Sequence, residues 1–351
     1  MGQVTPYAAL ALQIAARSVE RLPDRKSASA QMLAQIEEIG IKIRASSVFI
    51  EQYSGNPARL VVLPEYFLTS YPGRISIPDF AEKAALDMDG PEYEALGRIA
   101  ADQKLFLAGN AYERDPHFAG LYFQTCFVIG PSGEVILRYR RLNSMFAPTP
   151  HDVWSKYLDI YGIDGVFPVA KTEIGNLAAI ASEEILYPEI ARAHALRGAE
   201  IFAHSSSEIG SPLATPKQIA KFARAFENIA YVVSANTAGI EGTAMPAASA
   251  DGNSIIIDYK GKALAESSPG ETFTAFADVD ISALRAARRK SGMTNFLSRQ
   301  RLALFSSIYA ADTHQPANSL LDDGRVTVPE RDHFVRVQAE VIERLAKEGL
   351  I

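Results

Sequence analysis

NLAAIASEEILYPEIARAHALRGAEIFAHSSS, residues 176–207, holds a strand, a corner, a helix and a second strand in that order. Residues 176–182 form a short apolar run of strand length that ends in polar groups at Ser182, Glu183 and Glu184. Pro188 is suited to the first turn of a helix, where its missing N–H costs nothing, and Gly198 stops that helix just past Arg197. Residues 199–207 then return to an apolar strand. A strand–helix–strand unit of this kind belongs to an α/β protein.

The alternation extends to both sides. Upstream, residues 8–14 read as a strand. Met32, Leu33, Ile36, Ile39, Ile43 and Ile50 then recur at helical spacing, and RLVVLPE (residues 59–65) is a buried strand. A helix over 91–103 leads to a strand over 105–113. FQTCFVIGPSGEVILRYRR then reads as a hairpin turning at Pro131, Ser132 and Gly133. Pro148, Pro150, Gly162 and Gly165 give residues 143–165 the character of a loop. Downstream, Thr215-Pro216 signals a helix start, and Ile219, Phe222, Phe226 and Ile229 lie on one helix face. Strands follow at YVVSANTAG, NSIIIDY and TAFADVDI, and two helical patterns occupy the remaining C-terminal stretch. Hairpins interrupt the βαβ series, so two packed sheets with helices outside fit better than one doubly wound sheet.

Composition narrows the function. The chain has 351 residues, 48% of them hydrophobic and 22% charged, which is enough to bury a large core without disulfide or metal. Its formal net charge of −6 lacks the basic excess of a nucleic-acid binder. A single cysteine excludes an intrachain disulfide and a cysteine-rich zinc site. No apolar run reaches about 18 residues, so no membrane span is expected. The N-terminal apolar run lacks the basic flank of a signal peptide, which makes the cytoplasm the expected location. No metal or cofactor is called for.

Three strand ends carry chemistry. Glu65 follows a buried strand, Arg140 and Arg141 end the hairpin, and Ser182 sits at the corner before a helix. Polar groups placed there are held by a rigid scaffold while reaching a cleft.

These stretches, LPEYFLTSYP, ILRYRRL and AAIASEEILYPEIARAHALRGAEI, resemble the nitrilase superfamily of carbon–nitrogen hydrolases, in matching order and at similar spacings of 76 and 41 residues. The resemblance covers residues 7–285 and implies a four-layer αββα sandwich; the domain is set at residues 1–285, and residues 286–351, more than one sandwich needs, are read as a C-terminal extension that serves as an oligomerisation arm. The family pattern is Glu, Lys and Cys. Here Glu65 matches, Ser182 stands at the cysteine position, and Arg141 (or Arg140) stands at the lysine position. Cys126, amid apolar neighbours, reads as a core residue.

The resemblance implies Glu65 as the base, Ser182 as the nucleophile and Arg141 as the cation facing the developing negative charge. The backbone N–H of Glu183 would be the second donor to that charge. Asp152 is a further acid on the loop, His204 would line the cleft, and Tyr66 would form a wall. A serine hydroxyl is a weaker acid than a thiol and needs a base during attack. An arginine stabilises charge but does not shuttle protons. Amide hydrolysis is therefore expected over nitrile hydrolysis. The alternative is a silent homologue that binds a small ligand or serves as a subunit. The expected partners are a small-molecule substrate and further copies of the chain.

Overall fold

The computed structural model describes residues 4–311, 314–330 and 332–351. Its strands are β1 (Tyr7–Ala11), β2 (Ile14–Arg17), β3 (Ala58–Val62), β4 (Leu86–Asp87), β5 (Phe106–Arg114), β6 (Phe123–Ile129), β7 (Val135–Arg140), β8 (Ala170–Thr172), β9 (Gly175–Ala181), β10 (Ile201–Ser205), β11 (Tyr231–Ala235), β12 (Thr237–Glu241), β13 (Ile255–Ile257), β14 (Ala263–Glu266), β15 (Phe276–Val279), β16 (Leu321–Asp322) and β17 (Arg325–Val326). The helices are α1 (Arg25–Ser54), α2 (Ile77–Lys83), α3 (Pro91–Gln103), α4 (Trp154–Val166), α5 (Pro188–Leu196), α6 (Pro216–Asn228), α7 (Ile281–Arg289), α8 (Phe296–Arg299), α9 (Ala303–Ala311) and α10 (His333–Lys347).

One sheet runs β15-β1-β3-β5-β6-β7, with β4 also on β5; the other runs β14-β13-β11-β10-β9-β8. The centres, β1-β3-β5 and β9-β10-β11, are parallel because helices make the crossovers. The flanks are antiparallel because hairpins and the returning β15 build them. Period-two alternation divides the first sheet between two cores. Ala9, Ala11, Leu60, Val62, Ala108 and Val128 face the second sheet, packing with Ala179, Phe202 and Val233. Ala8, Leu10, Val61 and Leu107 face outward, against Met32, Ile36, Ile39 and Ile43 of α1 and Leu96 of α3. Ile190, Ala191 and Ala195 of α5 cover the second sheet. The layers are therefore αββα, as expected.

Helix ends follow local chemistry. Asp24 caps α1 in a reciprocal box with Ser27, and Gly55 closes it at φ 78°. A Cβ at Gly97 of α3 would lie 2.5 Å from the Gly133 carbonyl, so the hairpin turn can approach only because residue 97 is glycine.

Two expectations need correction, and one helix buries more than its apolar stripe. The run at 8–14 is two strands: β1 stays in the first sheet while β2 leaves to pair with β12. Residues 143–165 contain α4, because Pro150 opens a 3-10 turn instead of breaking structure and Gly162 absorbs a kink at φ 62°. The stripe on α6 is split: Ile219 is 61% and Phe226 41% exposed, Phe222 is half-buried against the core and Ile229 is buried, while Lys221, Arg224 and Asn228 are buried as well. The polar face is inward because Lys221 pairs with buried Glu208 (2.9 Å) and Arg224 donates to the carbonyls of Ile185 (2.9 Å) and Leu186 (3.0 Å).

The C-terminal extension folds back in part. The Leu320 amide donates to the Asp152 carbonyl (2.8 Å), and Phe334 of α10 enters the core. By contrast, α9 leaves Leu304, Phe305, Ile308 and Tyr309 exposed. Among the described residues, no helix is long and apolar enough to cross a membrane.

Candidate active site

Strand ends from both sheets meet at one cavity of about 440 Å³, lined among others by Glu65, Gln124, Arg141, Ser182, Ser207 and Lys217. The first sheet contributes Glu65 after β3, Gln124 on β6 and Arg141 after β7. The second contributes Ser182 after β9 and Ser207 after β10. Cross-sheet bonds hold the two sets in register: the Glu65 amide donates to Ser206 O (3.2 Å) and Ser205 Oγ to Leu63 O (2.7 Å).

Glu65 is buried. Its Oε1 accepts from Gln124 Nε2 (2.7 Å) and lies 3.6 Å from Arg141 Nη1; its Oε2 accepts from Ser207 Oγ, which in turn accepts from Tyr66 OH (2.5 Å). Arg141 donates from Nη1 to Gln124 Oε1 (2.7 Å), from Nε to Asn143 O (2.6 Å) and from Nη2 to Glu183 Oε1. Burial disfavours the Arg141 charge, but Glu65, Glu183 and Glu184 outweigh it and hold the guanidinium above its ordinary pKa. The cation is thus permanent.

Arg140 turns the other way. Its guanidinium contacts Asp115 (2.7 Å) and Glu113 (3.3 Å), under the rings of Tyr161 and Phe123. Successive side chains on a strand point to opposite faces, so two adjacent arginines cannot share one cleft. Of the two, Arg141 lines the cavity.

Ser182 is buried at φ 46°, the left-handed region, on the first residue of a 3-10 turn over Ser182–Leu186. Such a conformation costs on the order of 1–3 kcal/mol and is held by its surroundings. His204 supplies one restraint beneath it. Its Nε2 is 2.8 Å from Ser182 O, and its Nδ1 is 2.8 Å from Ser234 Oγ. The carbonyl can only accept, so Nε2 carries the proton and Nδ1 accepts from Ser234. Burial pushes the imidazole pKa well below its ordinary value, so the ring stays neutral. His204 therefore supports the corner from below instead of lining the cleft.

Asp152 also departs from expectation. It accepts from Thr149 N (2.9 Å), Thr149 Oγ1 (2.7 Å) and Ser319 Oγ (2.6 Å), lining a neighbouring cavity of about 330 Å³. The loop after residue 142 carries it past the site. Tyr66 lines the cavity, stacked on Tyr112. Glu183 stands at the rim between the two cavities, paired with Arg141. Cys126 is buried against Asn110, and burial pushes its thiol up to about 12, which keeps it protonated.

Two residues play parts that were not read from the sequence. Glu184, fully buried, accepts from Tyr139 OH (2.6 Å) and from the amides of Leu142 (2.8 Å) and Asn143 (2.9 Å), fixing the loop that follows Arg141. Its signal was the doubled glutamate at the corner. Lys217, in the first turn of α6, donates to Ser182 Oγ at 3.1 Å. Nothing in its local sequence distinguishes it from a solvated helix-start lysine.

The structure is similar to a carbon-nitrogen hydrolase from Helicobacter pylori G27, with a TM-score of 0.60 and 20% identity over 86% of this chain and 98% of that one. An amidase from Nesterenkonia sp. gives 0.58 and 19% over 88% and 97%. In sequence, the chain is 25% identical over 242 residues to omega-amidase NIT2 of Bos taurus, covering 69% of this chain and 83% of the relative. It is 28% identical over 183 residues to a formamidase of Helicobacter acinonychis, 52% and 51% of the two chains. The carbon-nitrogen hydrolase family profile matches residues 14–289. That match spans most of the chain and agrees with its αββα layers, and on it the chain belongs to the carbon-nitrogen hydrolase family, the nitrilase superfamily.

Proposed function

We propose that the chain hydrolyses the C–N bond of a small, uncharged amide, with Ser182 at the family's cysteine position and Arg141 at its lysine position. The observation that carries this reading is the shared cavity: Glu65, Arg141 and Ser182 come from three separate strand ends and line one pocket. Ser182 Oγ attacks the carbonyl carbon as it gives up its proton, the carbonyl oxygen gains negative charge beside the Arg141 guanidinium and the Glu183 N–H, and the C–N bond breaks with that proton passing to the departing nitrogen, leaving an ester on Ser182. Glu65 is placed to draw a proton from the water that cleaves the ester.

The remaining wall is largely aromatic and apolar, with Tyr71, Ile75, Ile77, Tyr112, Tyr122 and Phe146. It suits an aliphatic or aromatic acyl group better than a carboxylated one. Amide hydrolysis also agrees with the omega-amidase, formamidase and amidase names of the relatives. The oxygen nucleophile disfavours nitriles. The exposed apolar side of α9 supports assembly of the chain with further copies of itself.

The test is a panel of short aliphatic and aromatic amides, the matching esters and nitriles, run on wild type beside Ser182→Ala. Amide turnover lost in Ser182→Ala is the expected result. Undiminished turnover in Ser182→Ala ends the serine reading, and no turnover by wild type moves the protein to the ligand-binding alternative.

A further inference from the structure

The Ser182 hydroxyl faces a different partner from the one its sequence neighbours suggest. Both Glu65 oxygens are engaged, Oε1 by Gln124 and Arg141 and Oε2 by Ser207. The polar side chain on Ser182 Oγ is Lys217, with Nζ at 3.1 Å. We propose that Lys217 is the group that takes the proton from Ser182 Oγ, so that the nucleophile works as a serine–lysine pair; this rests on Ser182 being the nucleophile.

The geometry is built by packed elements. Lys217 is the second residue of α6, directly after Pro216, and the Thr215–Gln218 capping box fixes the helix start. Arg224, two turns along, ties α6 to the corner through the Ile185 and Leu186 carbonyls. Ser182 is held from the other side by its left-handed backbone and by His204 on its carbonyl. Nucleophile and amine are thereby preset within hydrogen-bond reach. An amine in this position supplies what Arg141 does not, because a lysine can exchange a proton and an arginine does not.

The step balances without any further reactant. Nζ donates to Oγ in the structure; the reactive form is the one in which Lys217 has released a proton and its amine accepts the Oγ proton as the Oγ–carbon bond forms, and the C=O pair moves onto oxygen. The resulting ammonium gives that proton to the departing nitrogen as the C–N bond breaks, which restores the amine. Water then cleaves the ester, and a proton returns to Ser182 Oγ. Arg141 and Lys217 divide the work of the family's one lysine between a fixed charge and a mobile proton.

The test follows acylation alone, using 4-nitrophenyl butyrate, whose leaving group needs no proton. Formation of the butyryl adduct is read by intact-mass spectrometry in wild type, Lys217→Arg, Lys217→Met and Ser182→Ala. Arginine keeps a cationic donor at the position without accepting a proton, so both Lys217 variants should acylate about a hundredfold or more slowly. Lys217→Arg within about threefold of wild type would overturn the proton-transfer role, and with a slow Lys217→Met would reduce Lys217 to a fixed charge. An adduct that persists in Ser182→Ala, or none in wild type, overturns the serine reading itself.

Discussion

Replacing Arg140 with methionine removes a cation from beside two fully buried carboxylates. Arg140 lies 2.7 Å from Asp115 and 3.3 Å from Glu113, and neither carboxylate is exposed. Glu113 would keep Arg138 (2.9 Å) and Tyr93 OH (3.0 Å), so most of the cost falls on Asp115. Asp115 would keep only the Tyr161 hydroxyl and the His117 amide (2.8 Å) as the hydrogen bonds described for it. Breaking a buried pair from one side costs about 3–5 kcal/mol. The Glu113 contacts point to the lower end, and the lost stacking on Phe123 and Tyr161 adds about 1 kcal/mol. At an m-value of about 3 kcal/mol per M, the urea midpoint should fall by about 1 M. Adding Asp115→Asn to Arg140→Met should recover more than half of the loss, because the amide leaves no charge uncompensated. Activity per folded molecule should stay within about twofold, since Arg140 does not line the cavity. A midpoint shift below about 0.3 M, or no recovery in the double variant, would refute the argument.

Glu65→Gln should lower kcat on an identified amide by about a hundred- to ten-thousandfold while leaving the melting curve near wild type; unchanged kcat would remove Glu65 from the chemistry. Burial pushes the His194 imidazole down to about 3, so below pH ~6.5 the unfolded chain binds a proton that the native chain does not. Stability should therefore fall with pH, by about 2 kcal/mol at pH 5 from this group, with His204 acting in the same direction. His194→Phe should flatten the decline of the urea midpoint between pH 7 and 5, and a wild-type slope in that variant would contradict it. Light scattering at micromolar concentration should give a multiple of 38.1 kDa, and a monomer would count against the assembly assigned to α9.

Much of the fold was legible because its signals are local. The strand over residues 176–181, the Pro188 helix start and the Gly198 stop each depend on a few adjacent residues, and the structure repeats them as β9 and α5. Two features had non-local causes. Pro150 and Gly162 look like breakers in isolation, yet α4 is retained because Tyr157 packs on Phe118 and Phe123. The stripe on α6 marks an apolar side, but the buried side also serves the Glu208 carboxylate and the Ile185 and Leu186 carbonyls through Lys221 and Arg224, which no periodicity can announce. The same limit applies at the site. Glu65, Arg141 and Ser182 follow apolar strands and could be picked out by position. Lys217 became visible only when α6 was laid across the corner.

The cavity straddles two sheets, whose halves meet across the apolar core between them and through a small set of hydrogen bonds. Glu65, Gln124 and Arg141 ride on one layer, Ser182, Ser207 and Lys217 on the other or its covering helix, and alignment depends on the packing between the sheets together with bonds such as Ser205 to Leu63 and Tyr139 to Glu184. A slip of about 1 Å between layers leaves each sheet's ladder and helices intact, yet it can cost on the order of a hundredfold in rate. Turnover is therefore a fine gauge of how the two halves are seated. In mild denaturant, or under pressure that loosens the layer contact, it should fade while circular dichroism still reports a folded chain.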